Sequence, residues 1–374
     1  MSGLRRLAVV EDMGETHVSR LGAALGQAEK CGPTHVAYAI CIVHFPTGSM
    51  SSVELDELAA YLRSRPALRA KGEIRLVSDV LGARSWVHGP GDDGAVVPTR
   101  RQSARGDTGD QVIACGEALL PAFVAADPYG AGVAAVLANV NDLAAMGATP
   151  VAIVDTIVGS PELAREALRG MKDACEWYDV TLVGGHLTVY DGAPALSAFG
   201  VGSAAAVLST THVAAGQSLV VAACTQGEMR ADFPFFRSFD ERRTQLADDV
   251  RVLASVASSG ACVAAKDISM AGLVGSLAML LEWSRLGVTV DLEQLPHPPA
   301  VAMKDWLTCF PAYGFLLCVP QGREADCLAP FHARGLDASP VGIIDNSGLL
   351  ALRSGDVEVT VLDLTSDKVT GLAR

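Results

Sequence analysis

Four short stretches carry side chains able to do chemistry. "GPGDDGAVV" at 89–97 sets Asp92 and Asp93 between glycines. Glycines let backbone approach a ligand closely while adjacent carboxylates project outward, although Asp and Gly also build ordinary turns. "NVNDLAAMGATP" at 139–150 spaces Asn139 and Asp142 three apart, so they neighbour each other on one helical face. Asp142 falls near the helix C-terminus, where the dipole disfavours a carboxylate unless a cation or donor compensates it. A solvated polar edge is the other reading. "LVGGHLTVYDG" at 182–192 ends a strand in Gly184, Gly185 and His186, which leaves room for a phosphate or a base, or marks a simple bulge. "AKDISMAGLVGSL" at 265–277 places Asp267 at a strand end just before a helix start. Such junctions suit anions, and they also suit a plain N-cap.

The surrounding pattern supplies elements to hold these groups. A helix is expected over 127–147, with Asp127 as cap, Pro128 at the first position and Gly147 as terminator. Strands are expected at 85–99, 111–120, 150–159, 180–186 and 195–207, and a second helix at 160–179 opens on Ser then Pro. A polar break near 208–218 separates a second alternating half: strands at 218–225, 262–269, 288–292, 313–320, 340–345, 349–354 and 357–364, with helices at 244–260, 271–287 and 323–335. Alternation of this kind gives layered α/β or α+β domains. Upstream, Ser51 or Ser52 is expected to cap a helix carrying Leu55, Leu58 and Leu62. Residues 1–50 are set apart as an N-terminal extension, with Met50 as a candidate start.

Composition narrows the function classes. A net charge of −13 argues against a nucleic-acid surface, yet it is compatible with phosphate ligands bridged by divalent cations. The apolar runs are too short or interrupted to span a bilayer. The nine cysteines are scattered, several within apolar runs, as expected of core thiols in a reducing cytoplasm rather than a zinc site. "GVGSAA" at 200–205 mimics a dinucleotide fingerprint but lacks the opening helix and the later acid. No Walker loop, H-E-x-x-H or G-x-S-x-G is present, so any nucleotide use is of a non-Walker kind.

Taken in order, "GDDGAVV", "NVNDLAAMGATP", "LVGGH", "KDISMAGL" and "YGFLL" resemble the AIR synthase superfamily over roughly residues 74–374. Its members include aminoimidazole ribonucleotide synthase, thiamine-monophosphate kinase, selenophosphate synthetase and a hydrogenase maturation factor. The resemblance implies a two-domain α/β (α+β) fold. The N-terminal domain, 51–208, would form a dimeric β-barrel with a second copy, and 209–374 would form a C-terminal α/β domain. It further implies ATP with Mg²⁺. Asp92, Asp93, Asp142 and Glu117 would be metal ligands, and Asn139, Gly184, Gly185 and Asp142 would line the nucleotide site. Asp267 would act from the second domain, and His186 is a candidate proton shuttle or phosphate contact.

The chain departs from the family where Glu117-Ala118 replaces an Asp-Thr pair and where "PAF" at 121–123 replaces a His-Phe pair. Lys71, in "LRAKGEI", resembles a lysine of selenophosphate synthetase, but that enzyme's cysteine segment is missing. The implied function is Mg-dependent use of ATP to phosphorylate or activate a small-molecule acceptor, in a cytoplasmic homodimer. A non-catalytic nucleotide-binding or scaffold protein of the same fold is the alternative.

Overall fold

The structure is a computed structural model, and it describes residues 49–82, 89, 91–98 and 110–372. Apart from Ser49 and Met50, the N-terminal extension lies outside the described residues, as do residues 85–88 of the first expected strand. Helix α1 (Ser52–Ser64) opens on a capping box. The Glu54 N–H donates to Ser51 Oγ at 3.3 Å, and the Ser51 N–H donates to Glu54 Oε2 at 2.8 Å.

Strands β1 (Ala95–Val96), β2 (Gln111–Ala118), β3 (Thr149–Gly159), β4 (Thr181–Val189) and β5 (Ala195–Ala204) form one mixed sheet, ordered β1-β2-β5-β3-β4. Only the β3–β4 pair is parallel. Two helices cover its inner face, α2 (Pro128–Ala145) and α3 (Pro161–Tyr178). Both start as the sequence indicates. Asp127 Oδ1 accepts the Gly130 N–H at 2.9 Å, Ser160 Oγ accepts the Leu163 N–H at 3.2 Å, and a proline follows each cap. Helix α2 ends in paired bonds, Ala148 N–H to Leu143 O at 2.9 Å and Gly147 N–H to Ala144 O at 2.8 Å. They close around Gly147, whose φ of 73° is the left-handed value that glycine tolerates.

The second sheet has seven strands: β6 (Ser218–Ala223), β9 (Ala264–Asp267), β10 (Gly287–Asp291), β12 (Gly314–Val319), β13 (Asp337–Asp345), β14 (Leu349–Ser354) and β15 (Val357–Asp363), ordered β15-β14-β10-β13-β6-β12-β9. Side chains on alternate faces of β6 and β12 feed two cores. Val220, Ala222, Phe315 and Leu317 join a cluster with α2, α3 and helix α4 (Leu246–Ser258). Leu219, Val221, Leu316 and Cys318 join another with α1 and helix α5 (Gly272–Glu282).

Two features were not foreseen from the pattern. Leu55, Leu58, Leu62 and Leu68 belong to this second core, although 51–208 was expected to act as one domain. Periodicity shows that a helix has an apolar face but not which sheet will cover it. A small third sheet, β11-β8-β7, is formed by β7 (Glu228–Met229), β8 (Phe235–Arg237) and β11 (Phe310–Pro311), strands too short to register as a pattern.

Helices α2 and α3 touch backbone to backbone. A Cβ on Gly132 would lie 2.0 Å from Ala167 O, and one on Gly170 would lie 2.1 Å from Tyr129 O. Replacing glycine by alanine inside an exposed helix gains about 1 kcal/mol from propensity. At this crossing the sign should reverse. Gly132→Ala is expected to cost about 1–3 kcal/mol through overpacking, read as a lower urea midpoint. An unchanged or higher midpoint would show that the helices are free to separate.

Candidate active site

Asp93, Asp142 and Asp267 come from three separate parts of the fold and converge. Each offers one carboxylate oxygen, and these lie within 4.8 Å of one another. Asp93 comes from the loop before β1, Asp142 from the last turns of α2, and Asp267 from the end of β9. Asp142 is 7% exposed, and its carboxylate has no hydrogen-bond partner among the described residues.

The loop is fixed by both of its acids. Asp92 accepts from Ser209 Oγ at 2.8 Å and from the Thr210 N–H at 2.6 Å, so it clamps the segment that leads into the second domain. Its carboxylate is engaged there and does not join the group of three, so sequence adjacency did not distinguish the clamp from the member of that group. Asp93 accepts the Asp267 N–H at 2.9 Å and pairs with the Lys266 ammonium, which also stands 3.4 Å from Asp267 Oδ1.

Lys266 is buried, and pattern reading did not single it out. The available signal was a lysine directly before the strand-end aspartate. Residue 266 pairs with Leu316 and residue 267 with Phe315, so the two start on opposite faces of β9. Because β9 is an edge strand, their polar ends can meet at its open side.

Lys71, in the helical turn Lys71–Ile74, lies within electrostatic reach of Lys266, Asp267, Glu117 and Asp93. Glu117 projects from the inner face of β2. Asn141 ties α2 to the second domain by donating to Ala312 O at 3.1 Å, and its Oδ1 is left without a partner.

The other expected residues are placed elsewhere. Asn139 is fully buried, donating to Ala135 O at 2.8 Å and Ala198 O at 3.2 Å, so it ties α2 to β5. Glu117, Ala198, Asp155 and Gly185 pair in one row across the sheet. Three strand spacings, roughly 14 Å, therefore separate Gly185 from Glu117. Gly184 and His186 sit on the outer face of the same edge strand. Hence the GGH stretch is not brought to the carboxylates within one chain. Gly185 is instead accounted for by Asp155, whose Oδ1 would lie 2.1 Å from an added Cβ.

Burial and like charge shape the electrostatics. Desolvation pushes the Asp93 carboxyl up to about 7, with Lys266 opposing and Asp267 adding to the rise. Burial also raises Asp142 well above the usual range, reinforced by Asp267, Asp93 and Glu117. Burial works against the Lys266 charge, but Asp93 and Asp267 outweigh it and hold the ammonium protonated. Lys71 is lowered by burial and then by Lys266. The Glu117 carboxyl is raised by burial and then by Asp267, although much of the residue is open to solvent. The site thus concentrates negative charge that protein groups only partly compensate.

Comparison with known proteins places this geometry. The family described as AIR synthase related protein, N-terminal domain, matches residues 91–204, and its C-terminal domain counterpart matches residues 202–354. The chain belongs to the AIR synthase superfamily. An uncharacterized protein of Synechocystis sp. is 31% identical over 85% of this chain and 97% of its own. PurL from Thermotoga maritima, in a structure complexed with ADP, superposes with a TM-score of 0.65 at 17% identity, covering 83% of this chain and 54% of that one. This AIR synthase-related chain therefore spans about half the length of that PurL. A ThiL structure complexed with AMPPCP and TMP superposes with a TM-score of 0.56 at 18% identity, covering 77% of this chain and 95% of that one. Both likenesses establish the two-domain α+β fold with mixed sheets. Among the described residues no helix is long and apolar enough to cross a membrane.

An acid whose folded pKa exceeds its unfolded one takes up a proton on folding, so its penalty grows as pH rises. Asp142→Asn removes that penalty. Without divalent cations, the variant is expected to melt above wild type at about pH 8, with the gap closing towards about pH 5. A gap independent of pH in EDTA-containing melts would contradict the charged crowding inferred at Asp142.

Proposed function

We propose that this AIR synthase-related protein is a magnesium-dependent enzyme that uses ATP to phosphorylate or activate a small-molecule acceptor. The observation that carries this is the buried Asp142 carboxylate, which faces Asp93 and Asp267 and has no hydrogen-bond partner among the described residues. An all-oxygen donor set suits Mg²⁺, which takes a few carboxylates and keeps waters for phosphate oxygens. When bound, the ion would neutralise phosphate charge and orient the transferring group.

In this reading Asp93, Asp142 and Asp267 hold the ion, and Asp92 keeps the loop in place. Lys71, within electrostatic reach of Asp93 and Asp267, would meet anionic oxygens there. Glu117 supplies a further carboxylate whose charge reaches Asp142. Support for nucleotide use comes from the PurL and ThiL structures, which are complexed with ADP and with AMPPCP.

Asp142→Asn gives the decisive pair of outcomes. The fold should be kept, while the Mg·ATP-induced rise in melting temperature and Mg-dependent ATP cleavage should both fall sharply. A variant that keeps the full Mg·ATP thermal shift would reduce Asp142 to a structural residue. A wild type that shows the shift but cleaves no ATP with any acceptor would favour a nucleotide-binding scaffold.

The outer face of the first sheet supports the homodimer. Val151, Phe199 and Val201 are exposed there, and Val183, Leu187 and Val189 are exposed along the β4 edge. A bare apolar face beside an unpaired strand is what a second copy would cover, and it carries His186 into the interface. Light scattering at micromolar concentration is expected to give twice the chain mass, and Phe199→Glu should shift it to one. A wild-type monomer would remove the dimer from this proposal.

A further inference from the structure

Lys266 is the cation paired directly with the aspartates of this site among the described residues. Its side chain is 3% exposed, and its ammonium pairs with Asp93 and stands 3.4 Å from Asp267 Oδ1, while Asp142 has no ion pair among the described residues. It therefore bridges the carboxylates of two different domains. Phosphoryl-transfer sites that use two divalent ions set them about 3.5–4 Å apart between shared carboxylates. Here three aspartates crowd within 4.8 Å, and one bridging position among them is filled by a side chain tethered to β9.

Tethering has a consequence. A lysine held in the fold cannot be diluted away, so Asp93 and Asp267 have a cation beside them before any ion arrives, while Asp142 has none paired with it among the described residues. We propose that Lys266 is a built-in cation standing in for a second divalent ion, so that the nucleotide-free site loads one ion per chain. This rests on the reading of the three aspartates as a metal site.

The test uses the full chain without nucleotide and counts bound Mn²⁺ by calorimetry and by loss of the free-ion electron paramagnetic resonance signal. Wild type is expected to bind one ion per chain. Lys266→Met should bind two, and Lys266→Arg, which keeps the charge, should return to one. Lys266→Gln replaces the methionine variant if that protein does not fold, as judged by circular dichroism. Two ions in wild type would overturn the proposal, as would one or none in the folded neutral variant. If wild type and all variants bind no Mn²⁺, the metal reading of the aspartates falls as well. Uptake of one ion by wild type and by the neutral variant alike would sink only the role of Lys266. If, in addition, the neutral variant shows weakened ATP binding, the ammonium is a phosphate contact instead of an ion substitute.

Discussion

Like charges held a few ångströms apart in a partly dry site repel. At 4.8 Å, two full carboxylate charges oppose each other by about 3–4 kcal/mol for an effective dielectric near 20. Asp93, Asp142 and Asp267 are held at such separations by rigid elements, so the rest of the local architecture is organised around supplying positive charge or a proton. The Asp267 N–H and the Lys266 ammonium answer Asp93, and the raised Asp93 and Asp142 carboxyls are the remainder of that demand.

Holding the acids together requires the two domains to meet rigidly. Asp92 fastens the loop to Ser209 and Thr210, and Asn141 fastens α2 to Ala312. A shared apolar cluster runs from the first sheet through α2 and α4 to β6 and β12. Close contact of α2 with α3 at Gly132 and Gly170 sets where the C-terminal turns of α2, and so Asp142, come to rest. The site is therefore a property of the junction between domains.

That arrangement separates general from particular features of this superfamily member. Its two-domain fold is common to proteins as different as PurL and ThiL, at 17–18% identity. Beside the aspartates this chain sets three further charges: Glu117 on β2, Lys71 before the first sheet and Lys266 on β9.

The sequence by itself determined the elements with strong local signals. Caps at Asp127 and Ser160, the stop at Gly147 and the continuous apolar run of β12 depend only on near neighbours in the chain, so local pattern and capping chemistry made them legible. The motif order made the family legible too, and with it the significance of Asp93, Asp142 and Asp267. Only tertiary structure decided which acids meet. Asp92 and Asp93 are adjacent, yet one clamps a loop and the other faces the group of three. Asn139 was expected to line a nucleotide site, and its side-chain amide is spent tying α2 to β5. The GGH stretch looked like part of the site, but strand order carries it to the far edge of the sheet. Lys71 and Lys266 are 195 positions apart, yet Lys266 lies near enough to depress the Lys71 ammonium. Convergence of this kind depends on strand order and domain docking, which join residues distant in sequence and leave no periodic trace in the chain.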